Sequence, residues 1–180
     1  TPSLAKLGAG QAQIIRILYQ GTPLPADRES LFWLNVQEIP KVSTEFAEGK
    51  ISGLSFTVRQ RIKMFFRPEG VTSEPIEMTS KLKVTLKATR KDIVIENPGP
   101  NFITLVGFSG QEKNTDGSSV LDAVMIPPFS KKEAVLSSVV NVPGKLYFYS
   151  INDFGFSKKF AIELAIDRTV NPDGIRDDTK

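Results

Sequence analysis

Few residues in this 180-residue chain could do chemistry, because it contains no His and no Cys. Thiol nucleophiles, imidazole bases, zinc sites of the His/Cys type, haem ligation by either residue and disulfides are all excluded. No GxSxG, P-loop or dinucleotide glycine fingerprint occurs. A paired-carboxylate hydrolase needs two acids converging in one cleft, and the sequence locates no such pair. What remains is binding chemistry. Leu54, Phe56 and Val58 alternate with Gly53, Ser55 and Thr57, which puts three apolar side chains on one face of a strand. Lys63 stands between Ile62 and Met64 in a strand pattern, where an ammonium is partly desolvated unless it meets an anion. Arg59, Arg61, Lys63 and Arg67 run beside Phe65 and Phe66, a basic stripe that imitates a single-strand nucleic-acid platform. Asn114-Thr115-Asp116-Gly117-Ser118-Ser119 has calcium-loop flavour but lacks the remaining ligands and the closing Glu, so it reads as a hairpin turn.

The elements that must hold these residues are strands. Period-2 patterning runs through residues 12–18, 32–36, 54–66, 82–86, 93–95, 102–108, 145–150 and 160–166, and no convincing amphipathic helix interrupts it. Punctuation by Asn97-Pro98-Gly99-Pro100, Asp116-Gly117 and Pro143-Gly144 favours antiparallel sandwiches over a parallel α/β sheet, so the predicted fold class is all-β. Composition agrees with a well-cored domain protein, at 40% hydrophobic and 24% charged residues. The net charge of +3, from 23 basic and 20 acidic residues, is too mild to argue for nucleic acid. No apolar run approaches the roughly 18–20 residues of a membrane helix, and the start does not read as a signal peptide.

Arg67-Pro68-Glu69-Gly70-Val71-Thr72-Ser73-Glu74-Pro75 ends the longest strand pattern in residues that cannot continue a central strand. The chain is therefore divided into a first unit at 1–68, a linker at 69–75, a second unit at 76–168 and a polar, disordered tail at 169–180. The second unit has about seven short strand candidates, enough for one immunoglobulin-like sandwich. The first has about four, enough for half of one, whose core face would be wet.

One string is long and order-specific: Leu24-Pro25-Ala26-Asp27-Arg28-Glu29-Ser30-Leu31-Phe32-Trp33-Leu34-Asn35-Val36-Gln37-Glu38-Ile39-Pro40. It resembles the signature of the periplasmic pilus chaperones, two-domain immunoglobulin-like proteins that escort pilin subunits to an outer-membrane usher. The resemblance extends to the threonine-proline segment at 1–10, to Arg61-Ile62-Lys63-Met64-Phe65-Phe66-Arg67-Pro68, and to Asn97-Pro98-Gly99-Pro100-Asn101-Phe102. It continues through Met125-Ile126-Pro127-Pro128-Phe129-Ser130 and Ile151-Asn152-Asp153-Phe154-Gly155, covering residues 1–167. Family members carry several strands before the threonine-proline segment, so the resemblance implies a first sandwich without its amino-terminal strands.

The resemblance implies a non-enzymatic function that needs no cofactor and no metal. Leu54, Phe56 and Val58 would be lent to an incomplete pilin sandwich as a donor strand. Lys63 would bind the pilin's terminal carboxylate, with a partner arginine in the missing strands. Glu29, Arg67 and Asp153 would form an inter-domain charge network. The implied partners are pilin subunits and an usher, with self-association through the free edge strand as a further possibility and no nucleic acid or membrane insertion. The implied compartment is the periplasm of a Gram-negative bacterium. The short loop at 41–50, with no Cys pair beside it, resembles the members that build rod-like pili. The alternatives are a structural or adhesive β-sandwich surface protein and, with less support, a carbohydrate-active enzyme with an acidic cleft.

Overall fold

A computed structural model describes residues 2–21, 23–40, 54, 56–112 and 119–166. The loop expected at 41–50, most of the turn at 114–119 and the tail from 169 lie outside the described residues. Two strands, β1 (Ser30–Gln37) and β2 (Arg59–Phe66), pair antiparallel in a continuous register from Ser30↔Phe66 to Gln37↔Arg59. After them come a short helix α1 (Pro75–Thr79) and seven further strands: β3 (Lys83–Leu86), β4 (Asp92–Asn97), β5 (Ile103–Ser109), β6 (Val124–Ile126), β7 (Ser130–Val135), β8 (Gly144–Ile151) and β9 (Ser157–Ile166).

The seven strands connect in the order β6-β5-β8-β9-β3-β4-β7. The last strand belongs to two sheets. Its first part runs antiparallel to β8 from Ser157 to Leu164, and its end turns to pair parallel with β3 at Ala165 and Ile166. Strict alternation on β4 buries Ile93 and Ile95, and on β8 it buries Leu146 and Phe148. These side chains meet Leu86, Ile103, Leu105, Phe108 and Ile126 in one core, the all-β architecture that the patterning predicts. Phe108 and Phe148 pack with ring centroids 5.6 Å apart.

One bulge shapes that core. Between Val106 and Ser109 the pairing of β5 with β8 slips, and Gly107 takes φ +64° there. The extra residue turns both Phe108 and Ser109 inward, which alternation forbids on a regular strand.

Three expectations need correction. Residues 12–18 join no strand ladder among the described residues, and Ile14, Ile17 and Leu18 are all more than half exposed. Alternation supplies a strand with faces, but only a neighbour supplies its hydrogen bonds. The strand expected from 54 begins at Arg59. Its partner β1 is followed closely by Pro40, which has no N–H to donate, and the last bond of the pair runs from the Glu38 N–H to the Val58 carbonyl at 2.9 Å. Finally, α1 is a helix where none was expected. Pro75 opens it with a preset φ, and the Glu77 carboxylate accepts the Glu74 N–H at 3.3 Å.

Candidate functional site

The β1–β2 register divides the hairpin into two faces of opposite character. Even-numbered positions carry Phe32, Leu34 and Val36 opposite Met64, Ile62 and Gln60. This face is apolar and partly bare: Phe32, Val36 and Ile62 are exposed, while Tyr19 stacks on Phe66 with centroids 4.9 Å apart. Leu54, Phe56 and Val58 continue the even phase beyond the ladder and are 79%, 76% and 55% exposed. Three large apolar side chains in alternation, on backbone whose only described ladder bond is that of Val58, form an edge with no paired strand among the described residues.

Odd-numbered positions of β2 carry Arg59, Arg61, Lys63 and Phe65. Trp33 lies directly across from Lys63. Its ring holds the Arg61 guanidinium at 4.0 Å from the centroid and the Lys63 ammonium at 5.9 Å. The Arg59 Nε donates to Gln37 Oε1 at 2.6 Å. Phe65 reaches Phe102 with centroids 5.4 Å apart, so this face of the hairpin is turned toward the seven-stranded part of the chain.

Where the two parts meet, Glu29 is enclosed, with its side chain only 1% exposed. It accepts from Arg67 Nε at 2.7 Å, Asn101 Nδ2 at 3.0 Å and the Phe102 N–H at 2.7 Å. Arg67 turns its other arm to Asp153, 2.8 Å from Nη2 to Oδ2. The structure thus brings Glu29, Arg67 and Asp153 into contact. Burial pulls the Arg67 guanidinium's pKa down, and the hydrogen bonds to Glu29 and Asp153 outweigh it, so the group lies above its ordinary value. Asn101, fully buried, also donates to the Ser73 carbonyl at 3.0 Å and accepts from the Ser73 hydroxyl at 2.7 Å. Sequence reasoning missed Asn101 and Ser73. Asn101 sits in the Asn97-Pro98-Gly99-Pro100-Asn101-Phe102 string and Ser73 in the segment 67–75, both of which look like ordinary turns.

Among the described residues no three acidic side chains converge as a metal site. Two concavities stand out there. One, of about 440 Å³, is lined by Pro2, Gln13, Ile14 and Arg16, and the other holds a single acid, Glu96, ion-paired to Lys131 at 3.2 Å. Neither presents the pair of carboxylates that glycoside hydrolysis uses. Among the described residues no helix is long and apolar enough to cross a membrane.

The arrangement suits binding by a strand edge. The model for the amino-terminal domain of the pili and flagellar-assembly chaperones, the PapD type, matches residues 1–72, and that for the carboxy-terminal domain of the PapD pili assembly chaperones matches residues 77–161. The chain belongs to the pilus-assembly chaperone family. It is 34% identical over 161 residues to the chaperone protein FimB/FhaD of Bordetella pertussis, covering 86% of this chain and 62% of that protein. With the chaperone protein FanE of Escherichia coli it shares 30% identity over 165 residues, 91% of this chain and 68% of FanE. Among solved structures, the CupB2 chaperone of Pseudomonas aeruginosa superposes with a TM-score of 0.61 at 29% identity, covering 82% of this chain and 64% of that one. The chain therefore spans little more than three fifths of the Bordetella relative's length.

Proposed function

We propose that this chain works as a periplasmic chaperone that caps pilin subunits by donating a strand and passes them to an outer-membrane usher. The observation that carries the reading is the bare stripe of Leu54, Phe56 and Val58, continuous in phase with a paired strand and more than half exposed at every position. Main-chain hydrogen bonds from such a segment give affinity tolerant of the client's sequence, and alternate side chains seated in a groove set the register. Fully burying each side chain contributes about 1.5–3 kcal/mol before ordering costs. Membership of a chaperone family supports the same reading.

In this reading Lys63 takes the pilin's terminal carboxylate, and the Glu29–Arg67–Asp153 contacts hold the angle between a first domain at 1–68 and a second at 76–168, joined by 69–75. A guanidinium with one carboxylate on each arm resists both sliding and rotation. The action is kinetic capping: an aggregation-prone groove stays covered until another subunit's strand displaces the chaperone. No step calls for catalysis or a nucleotide.

The test is co-purification with a pilin that lacks its last strand. Wild type is expected to form a one-to-one complex, and Phe56→Asp to lose it while keeping its own thermal unfolding transition. Undiminished binding by Phe56→Asp would overturn the donor-strand assignment.

A further inference from the structure

The turn between β6 and β7, Pro127-Pro128-Phe129, holds a residue in a conformation that its type disfavours. Phe129 takes φ +49°, in the left-handed region, where turns ordinarily carry Gly or Asn and a bulky side chain is strained. The ring is 48% exposed, so burial does not offset the strain. Strained backbone persists where the surroundings over-determine it, and such residues cluster at functional sites. Here Asn97 does the fixing. Its buried amide donates to the carbonyls of Asn101 at 2.8 Å and Pro127 at 2.9 Å, and its Oδ1 accepts from the Gly99 N–H at 3.0 Å. The Phe129 N–H in turn donates to the Gly99 carbonyl at 3.0 Å. One side chain staples two turns, residues 97–102 and 127–130, into a single platform that carries Phe129.

What meets the ring comes from the other part of the chain. The Arg28 guanidinium lies 5.0 Å from the Phe129 centroid, within reach of a cation–π contact. Asp27 holds that guanidinium by its edge, accepting from Nε at 2.9 Å and from Nη2 at 2.8 Å. A fork engaged along its edge keeps its flat face available for a ring. The next residue, Glu29, reaches Arg67, Asn101 and Phe102, and its own N–H donates to the Pro100 carbonyl at 2.9 Å. The lead into β1 is gripped at consecutive residues by both turns of the platform.

We propose that Arg28 and Phe129 form a clasp between the two parts of the chain, which keeps the β1–β2 hairpin at one angle to the seven-stranded part. Linked units ordinarily move against each other unless their interface is large and apolar, and the contacts here are mostly polar. The clasp works through the 127–130 turn, which none of Glu29, Arg67 and Asp153 bonds to. A single attachment leaves a hinge, whereas a second one displaced from it stops rocking about the first. Phe129 carries its strain because the ring has to stand where Arg28 can meet it. The clasp acts in the free chain, with or without a client.

The chain has no cysteine, so spin labels on Asn35→Cys in β1 and Lys145→Cys in β8, both exposed positions, measure the distance between the two parts by electron–electron double resonance. The labelled parent is expected to give one narrow distance distribution. F129N removes the ring but suits left-handed backbone, and it should widen the distribution about twofold or more while the thermal unfolding transition stays in place. R28Q, which keeps a polar side chain without the charge, should widen it in the same way. F129Y keeps a ring and should restore the narrow distribution. A distribution as narrow in F129N or R28Q as in the parent, or one that widens in F129Y, would overturn the clasp. If Arg67→Ala widens it and F129N does not, the charge network alone holds the angle and the clasp falls.

Discussion

Arg67 and Asp153 are both charged and in contact, yet they are not worth the same. Removing Arg67 leaves the Glu29 carboxylate enclosed with only the Asn101 amide and the Phe102 N–H as donors. Breaking a buried pair from one side costs roughly 3–5 kcal/mol. Asp153 is 41% exposed, and losing it should cost about 1 kcal/mol or less. Urea unfolding of Arg67→Ala and Asp153→Ala should show that asymmetry, and equal losses would contradict the enclosure of Glu29. The pH dependence has a definite sign. A folded-state pKa raised above the unfolded one gives stability that is complete below the unfolded value and lost only as pH rises through the folded value. For Arg67 that window is strongly alkaline, so its contribution should stay flat through neutral pH. These three charges were legible in the sequence because each sits in an ordered motif. Asn101 was not legible, because an amide's value depends on what surrounds it, and its partners are 28 and 72 residues away.

At the scale of the element, what could be read depended on burial. Strands β3, β4 and β8 bury alternate residues, β5 does so up to its bulge, and β9 turns Phe160, Ile162 and Leu164 toward the core, so their patterns stand out in the sequence. Strand β7, Ser-Lys-Lys-Glu-Ala-Val, did not stand out, because it lies at the sheet edge and buries almost nothing. Its Lys131 pairs with Glu96 at 3.2 Å and its Glu133 with Lys87 at 3.1 Å, the charged dress that discourages edge-to-edge aggregation. The segment at 12–18 failed the opposite way, with a strand's pattern and no described neighbour to pair with. The bulge in β5 makes its own prediction. A Cβ on Gly107 would meet the Tyr149 ring at 3.2 Å, at a positive φ that alanine adopts reluctantly. Gly107→Ala should lower stability by about 1–2 kcal/mol in urea unfolding, whereas Gly110→Ala, with nothing within 4 Å, should be close to neutral.

Over the whole molecule, protection from exchange should follow the division between core and edge. Amides of β5, β8 and β9 lie in the central ladder over buried Leu105, Phe148 and Leu164, and should exchange only on global unfolding. The described residues from Leu54 to Thr57 lie beyond the last ladder bond and should exchange within seconds in the free protein. They should slow by orders of magnitude once a pilin is bound. Exchange that stays fast in the complex would mean that the client pairs elsewhere.

The two faces of β2 have one more consequence. A strand's side chains change sides at every step, so a client that slipped by a single residue would not merely lose a good fit. It would have to bring Arg59 and Thr57 into an oily groove where Val58 and Phe56 belong, and leave the phenylalanine in water. If the proposed strand donation holds, the hairpin would carry its own proofreading: the wrong register would be penalised by the same strand that rewards the right one.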